Sequence, residues 1–143
     1  MFNFNSPTGL IFGNQTSKNS TDQIINLLGK KIFVISDKGL INLGLLEPTI
    51  KKLKVNSNVK IFDSVESDPS KSTLLKAFNE AKEFNATGCL GFGGGSSMDV
   101  AKLVSLLLGS NQDIETIWGV NNAIGPRLPL VLIPTTAGTG SEV

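Results

Sequence analysis

Three consecutive glycines, Gly93-Gly94-Gly95, followed by Ser96 and Ser97, are the residues of this sequence best suited to chemistry. The apolar run over residues 88–92 reads as a buried strand, and the apolar run over residues 98–108 reads as a helix. A strand that passes through bare glycine into a helix N-terminus makes an anion site. Free backbone N–H groups point outward there, and the helix dipole adds about half a positive charge. Glycine lets phosphate oxygens reach the main chain without meeting a Cβ. The stretch therefore predicts a turn that holds the pyrophosphate of a dinucleotide. Gly91-x-Gly93-x-x-Ser96 departs from the usual dinucleotide fingerprint in its final serine and in following several strand–helix units instead of opening the first. No Gly-Lys-Ser/Thr follows, so a Walker loop is excluded. The competing reading is a tight turn that only lets helix and strand pack closely.

Acidic and hydroxyl residues are the next candidates. Asp37 follows the β-branched run Lys-Ile-Phe-Val-Ile-Ser, residues 31–36. Open α/β sheets take ligands at the C-terminal ends of their strands. A carboxylate there can accept both hydroxyls of a ribose and would repel a 2′-phosphate, but it can equally cap a helix or turn. Asp68-Pro69 reads as the N-cap and first residue of a helix, with a nucleotide contact as a secondary role. Asp99 falls near the start of the helix after the glycine turn. Either it pairs with Lys102 on a neighbouring helix face, or it faces a ribose or hydroxyl at the reactive end of the ligand. Thr135, Thr136 and Thr139 lie in a Ser/Thr/Gly segment after the last strand. They offer donors without bulk to adenine, ribose or phosphate, or else form a solvated loop.

The elements that must position these residues alternate between two periods. Phe2 and Phe4, then residues 10–12, read as short N-terminal strands around the turn Ser6-Pro7-Thr8-Gly9. Ser20-Thr21-Asp22-Gln23 fits a capping box ahead of a helix whose stripe is Ile24, Leu27 and Leu28, closed by Gly29. Strands follow at residues 31–36, 59–62, 88–92 and 130–133. Helices lie between them, with Leu46, Ile50 and Leu53 on one and Leu74, Phe78 and Ala81 on another. Strands alternating with helices predict an α/β fold, a Rossmann-like, mainly parallel sheet with flanking helices. The Phe2-Asn3-Phe4 strand could form a sheet edge through which two copies pair as a homodimer.

Bulk properties narrow the function classes. The chain has 143 residues, 40% hydrophobic and 17% charged, with net charge +1, which suits one ordinary soluble domain and gives no sign of a nucleic-acid or membrane partner. The sequence Met-Phe-Asn-Phe-Asn-Ser-Pro does not read as a signal peptide. The single cysteine, Cys89, excludes an internal disulfide, suits the cytoplasm, and falls in a strand where packing is its expected role. With no histidine, a histidine metal site, a serine triad and a histidine general base are excluded within this chain. The chain stops within the Ser/Thr/Gly segment that runs from Pro134 to Val143, so the expectation is a single dinucleotide-binding domain, residues 1–143, that is truncated.

Two long segments, GGGSSMDVAK (residues 93–102) and PTTAGTGSEV (residues 134–143), resemble the signatures of the iron-containing, group III, alcohol dehydrogenases. SPTGLIFG near the N-terminus and ISDKGL around Asp37 are similar to that family in the expected order. The resemblance implies an N-terminal α/β domain that binds NAD(P) and a helical C-terminal domain, absent here, that carries Fe²⁺ or another divalent metal. By matching positions, it assigns Gly94, Gly95 and Ser96 to the pyrophosphate and Asp37 to the adenosine ribose, favouring NAD over NADP. It places Asp68 beside the adenosine, Asp99 near the nicotinamide ribose and substrate, and Thr135, Thr136 and Thr139 along the adenine-to-nicotinamide path. The implied activity is hydride transfer between an alcohol/aldehyde pair and NAD, with negligible turnover by this chain alone. Glycerol or polyol dehydrogenases, dehydroquinate-synthase-like relatives and a non-catalytic nucleotide-binding module are the alternatives.

Overall fold

The computed structural model describes residues 9–119 and 121–143. Four strands, β1 (Lys31–Ile35), β2 (Asn58–Phe62), β3 (Gly88–Gly93) and β4 (Leu130–Pro134), form one sheet in the order β2-β1-β3-β4. All three pairings are parallel, and Ile32 of β1 stands opposite Val59 of β2 and Gly88 of β3. Parallel neighbours need long crossovers, which the helices supply. Helices α1 (Thr16–Asn19) and α2 (Thr21–Leu28) precede the sheet. Helices α3 (Lys38–Asn42) and α4 (Glu47–Asn56) carry the chain from β1 to β2, α5 (Lys71–Glu83) from β2 to β3, and α6 (Gly95–Ser110) leads from β3 towards β4. This is the expected α/β, Rossmann-like architecture.

The strands alternate sides, as the period of two demands. Ile32 and Val34 join Leu90 and Phe92 in a core with residues of α2 and α4, among them Leu28, Ile50 and Leu53. Phe33, Ile35 and Cys89 face the other way, into a core with Leu74, Ala77 and Ala81 of α5 and Val100, Ala101 and Val104 of α6. Cys89 is fully buried, and burial pushes its thiol up to about 12, which fits a packing role. Among the described residues no helix is long and apolar enough to cross a membrane.

Several local expectations are corrected. Residues 10–12 are not a strand; Leu10 and Phe12 are 82% and 95% exposed and have no ladder partner among the described residues. The expected strand through Phe2 and Phe4 lies outside the described residues. Ser20 occupies the N-cap of α2, but its side chain makes no capping bond because its backbone (φ −101°, ψ 19°) is not extended as a capping serine requires. Leu27 is exposed, and Thr21, Ile24, Ile25 and Leu28 form the inner face of that short helix. Asp68 does not cap α5. It stands at φ 52°, a left-handed conformation that aspartate tolerates, and the cap passes to the extended Ser70, whose hydroxyl accepts from Thr73 N–H at 3.2 Å. Finally, α6 begins at Gly95, not near residue 98, because glycine and serine carry no apolar stripe from which a helix could be read.

Candidate functional site

In this strand order the chain leaves β1 towards β2 on one side and arrives at β3 on the other, so the topology reverses between β1 and β3. A crevice opens outside the carboxyl ends of strands at such a point. Ser36 ties the strand ends together beneath it. Its buried hydroxyl donates to Phe92 O at 2.7 Å, its N–H donates to Phe62 O at 2.9 Å, and its carbonyl accepts from Val65 N–H. The crevice is an open cleft of about 410 Å³. Asp37, Lys38 and Gly39 line it from the β1 side, Val65, Glu66 and Ser67 from the loop after β2, and Gly94, Gly95, Ser96 and Ser97 from the start of α6.

The glycine turn exists because side chains will not fit. A Cβ on Gly91 would stand 2.8 Å from the Ala101 Cβ, and one on Gly93 would stand 2.8 Å from the Ser97 Oγ. Both strip space between β3 and α6 and let the helix start directly over the strand end. Gly94 is the extended N-cap of α6 and offers no side chain to its amides; the first helical bond runs from Met98 N–H to Gly94 O. No acceptor among the described residues takes the N–H groups of Gly95, Ser96 and Ser97. Three unclaimed donors, at the positive end of a 16-residue helix, thus meet the cleft.

Asp37 lines the same cleft from the β1 side, and of its two anticipated roles the helix cap is the one observed. It is the extended N-cap of α3, its Oδ1 accepting from Leu40 N–H at 3.0 Å. Glu66 was not singled out from sequence. Its carboxylate accepts from Ser70 N–H at 2.9 Å and from the Thr73 hydroxyl at 2.7 and 2.8 Å. Those donors, the Ser70 N–H foremost, hold its carboxyl well below the usual 4.5, at about 2. The spacing Glu66, Ser70, Thr73 around a strand-to-helix corner was the available signal. Asp68 lies in the same loop but does not line the cleft.

The Thr-rich segment closes the other side of the glycine turn. Thr135 and Thr136 line a second open cleft of about 380 Å³ with Pro134, Ala137, Gly138 and Glu142. The two hollows meet at the head of α6: a Cβ on Gly94 would stand 3.5 Å from the Thr136 Oγ1, and one on Gly95 would stand 3.2 Å from the Ser141 Oγ and 3.6 Å from the Thr139 Cβ. Asp99 is exposed one turn further along α6 and lines neither cleft. It accepts from the Ser141 hydroxyl at 3.2 Å and lies 3.9 Å from the Lys102 ammonium.

A sequence profile described as iron-containing alcohol dehydrogenase matches residues 7–143. The chain belongs to this family. It is 36% identical over 135 residues to the sulfoacetaldehyde reductase of Bilophila wadsworthia, covering 94% of this chain and 35% of that protein. It is 32% identical over 143 residues to the NAD-dependent methanol dehydrogenase of Bacillus methanolicus, covering 99% of this chain and 38% of that protein. The sulfoacetaldehyde reductase of Bifidobacterium kashiwanohense, solved in complex with NAD+, superposes with a TM-score of 0.84 at 25% identity, over all of this chain and 38% of the other. The chain thus spans little more than a third of the length of these relatives. The family's iron finds no home in the portion described. The sequence has no histidine, and no group of three or more histidine, cysteine, aspartate or glutamate residues among the described residues could hold a metal ion.

Proposed function

We propose that this chain is the NAD-binding portion of a metal-dependent alcohol dehydrogenase of the iron-containing family, which interconverts a small alcohol and its aldehyde. The observation that carries the reading is the set of three unclaimed N–H groups at residues 95–97, facing a cleft at the topological switch point with Asp37 on the opposite wall. In this reading those amides donate to pyrophosphate oxygens, and Gly94 and Gly95 permit the approach. Asp37 keeps Oδ1 on the α3 cap and turns its remaining lone pairs to the adenosine ribose, which favours NAD over NADP. Asp68 stands on the loop beside the adenosine half. Thr135, Thr136 and Thr139, beyond the glycine turn, face the path to the nicotinamide, and Asp99 stands near its ribose. NAD supplies the hydride acceptor when bound. The donor set here does not suit a metal, so the metal and the groups that polarise the alcohol oxygen come from residues outside this chain.

Two consequences follow for the isolated 143-residue polypeptide. It yields no steady NADH from 1,2-propanediol or a primary alcohol, even with added Fe²⁺ or Zn²⁺; turnover would refute the division of labour. It binds NADH, and Gly95→Pro weakens that binding about tenfold by deleting one charge-assisted donor. Proline suits the first position of a helix, so α6 itself should persist. Calorimetric titration with unchanged affinity in Gly95→Pro would sink the anion-site reading. The protein also acts as a cytoplasmic homodimer in this proposal. The exposed Leu10, Ile11 and Phe12 are the apolar surface that favours association, and sedimentation giving a monomer at high concentration would reject it.

A further inference from the structure

The wall of the cleft opposite the glycine turn carries a second carboxylate that pyrophosphate binding and the Asp37 assignment leave unexplained. Glu66 lines the same cleft as Asp37. Its Oε1 accepts from Ser70 N–H at 2.9 Å and from the Thr73 hydroxyl at 2.7 Å, and its Oε2 accepts from that hydroxyl at 2.8 Å. Thr73 is buried, so its hydroxyl is a fixed donor. These contacts fasten the carboxylate to the head of α5 in its ionised form, and its charge stays in one place. The loop that bears it is tied to the Asp37 segment. Asp37 and Ser64 form an antiparallel bridge, and Val65 N–H donates to Ser36 O at 3.4 Å. Two acidic residues from adjacent strand ends therefore line one space. Lys38 is the cation lining that space, and the ion pairs of the described residues do not join it to either carboxylate.

We infer that Glu66 is a second specificity-determining residue: with Asp37 it outweighs the Lys38 charge, leaves this wall net anionic and turns away dinucleotides that carry a 2′-phosphate, in favour of those with a free ribose diol. The inference rests on the dinucleotide reading above. Asp37 acts by contact with the ribose, whereas Glu66 acts by charge across the cleft. In a cleft open to water, one fixed charge several ångströms from a phosphate shifts affinity by about fivefold, and salt screens the effect.

Glu66→Gln isolates the charge, because its amide oxygen still accepts from Ser70 and Thr73. Affinities of the wild-type protein and Glu66→Gln for NADH and NADPH are measured at low salt and at about 1 M salt, where the Debye length is about 3 Å. The expected result at low salt is about fivefold tighter NADPH binding by Glu66→Gln with NADH affinity nearly unchanged. The difference should collapse at high salt. An unchanged NADPH-to-NADH ratio, or an equal change in both affinities, would overturn the inference while leaving the dinucleotide site standing. Wild type needs no variant to be informative: a preference for NADH that does not shrink with salt also overturns it. If wild type binds neither nucleotide, the site reading falls and this inference with it.

Discussion

Replacing Gly91 with alanine tests whether close packing of α6 on β3 is what aims the anion-binding turn. An ideal Cβ at that position stands 2.8 Å from the Ala101 Cβ, 2.9 Å from the Leu132 Cδ2 and 3.3 Å from the Met98 Cα. Carbon atoms pack at about 3.5–4.0 Å. The Leu132 methyl can swing aside, but the Ala101 Cβ and Met98 Cα belong to the helix itself, so α6 must lift from the strand by about 0.5–1 Å. Overpacking of this kind costs about 1–3 kcal/mol, and alanine recovers about 0.5–1 kcal/mol of the entropy that glycine loses in a strand. The net expectation is a loss of up to about 2.5 kcal/mol. Met98 and Ala101 lie in the first two turns of α6, so the same lift displaces the amides of residues 95–97. Urea denaturation followed by circular dichroism should show a lower midpoint with an unchanged slope, and NADH titration should show weaker binding. Gly9→Ala is the control: its Cβ would have nothing within 4 Å, and neither readout should move. A Gly91→Ala protein with the wild-type midpoint and wild-type affinity would refute the packing argument.

Three further expectations can be checked together. Asp37→Gly should cost only a few tenths of a kcal/mol in stability, since glycine is a tolerable N-cap, yet it should weaken NADH and narrow the gap to NADPH; equal binding of both nucleotides by both proteins would remove Asp37 from the ribose. The carboxyl of Glu66 falls from 4.5 to about 2 on folding, so its contribution is complete above pH 4.5 and is lost as the pH drops towards 2. Glu66→Gln should therefore lose less stability than wild type across that window, and parallel pH profiles would contradict the hydrogen-bonded geometry. Cys89, fully buried with its thiol near 12, should react with an aromatic disulfide reagent only as fast as the protein opens; rapid labelling of the native state would place it at the surface instead.

Reading the residues alone located the four strands, the glycine turn and the strand-end aspartate, because each depends on short-range pattern: β-branched runs, bare glycine before an apolar helix, a carboxylate at a strand terminus. The same short range explains what it missed. Asp68-Pro69 looks like a helix start, but the loop turns left-handed at Asp68 and hands the cap to Ser70, anchored from behind by Glu66. Residues 10–12 look like a strand, but a strand exists only with a partner, and none is present among the described residues. No local pattern says that β3 lies against β1 instead of β2; that follows from a crossover whose helices must cover both faces of a parallel sheet. This adjacency gathers Asp37, Glu66 and the amides of residues 95–97, far apart in the chain, around one cleft. The chemistry was written in the sequence one group at a time. Their convergence belongs to the tertiary structure, because strand order is set by burying two apolar faces at once.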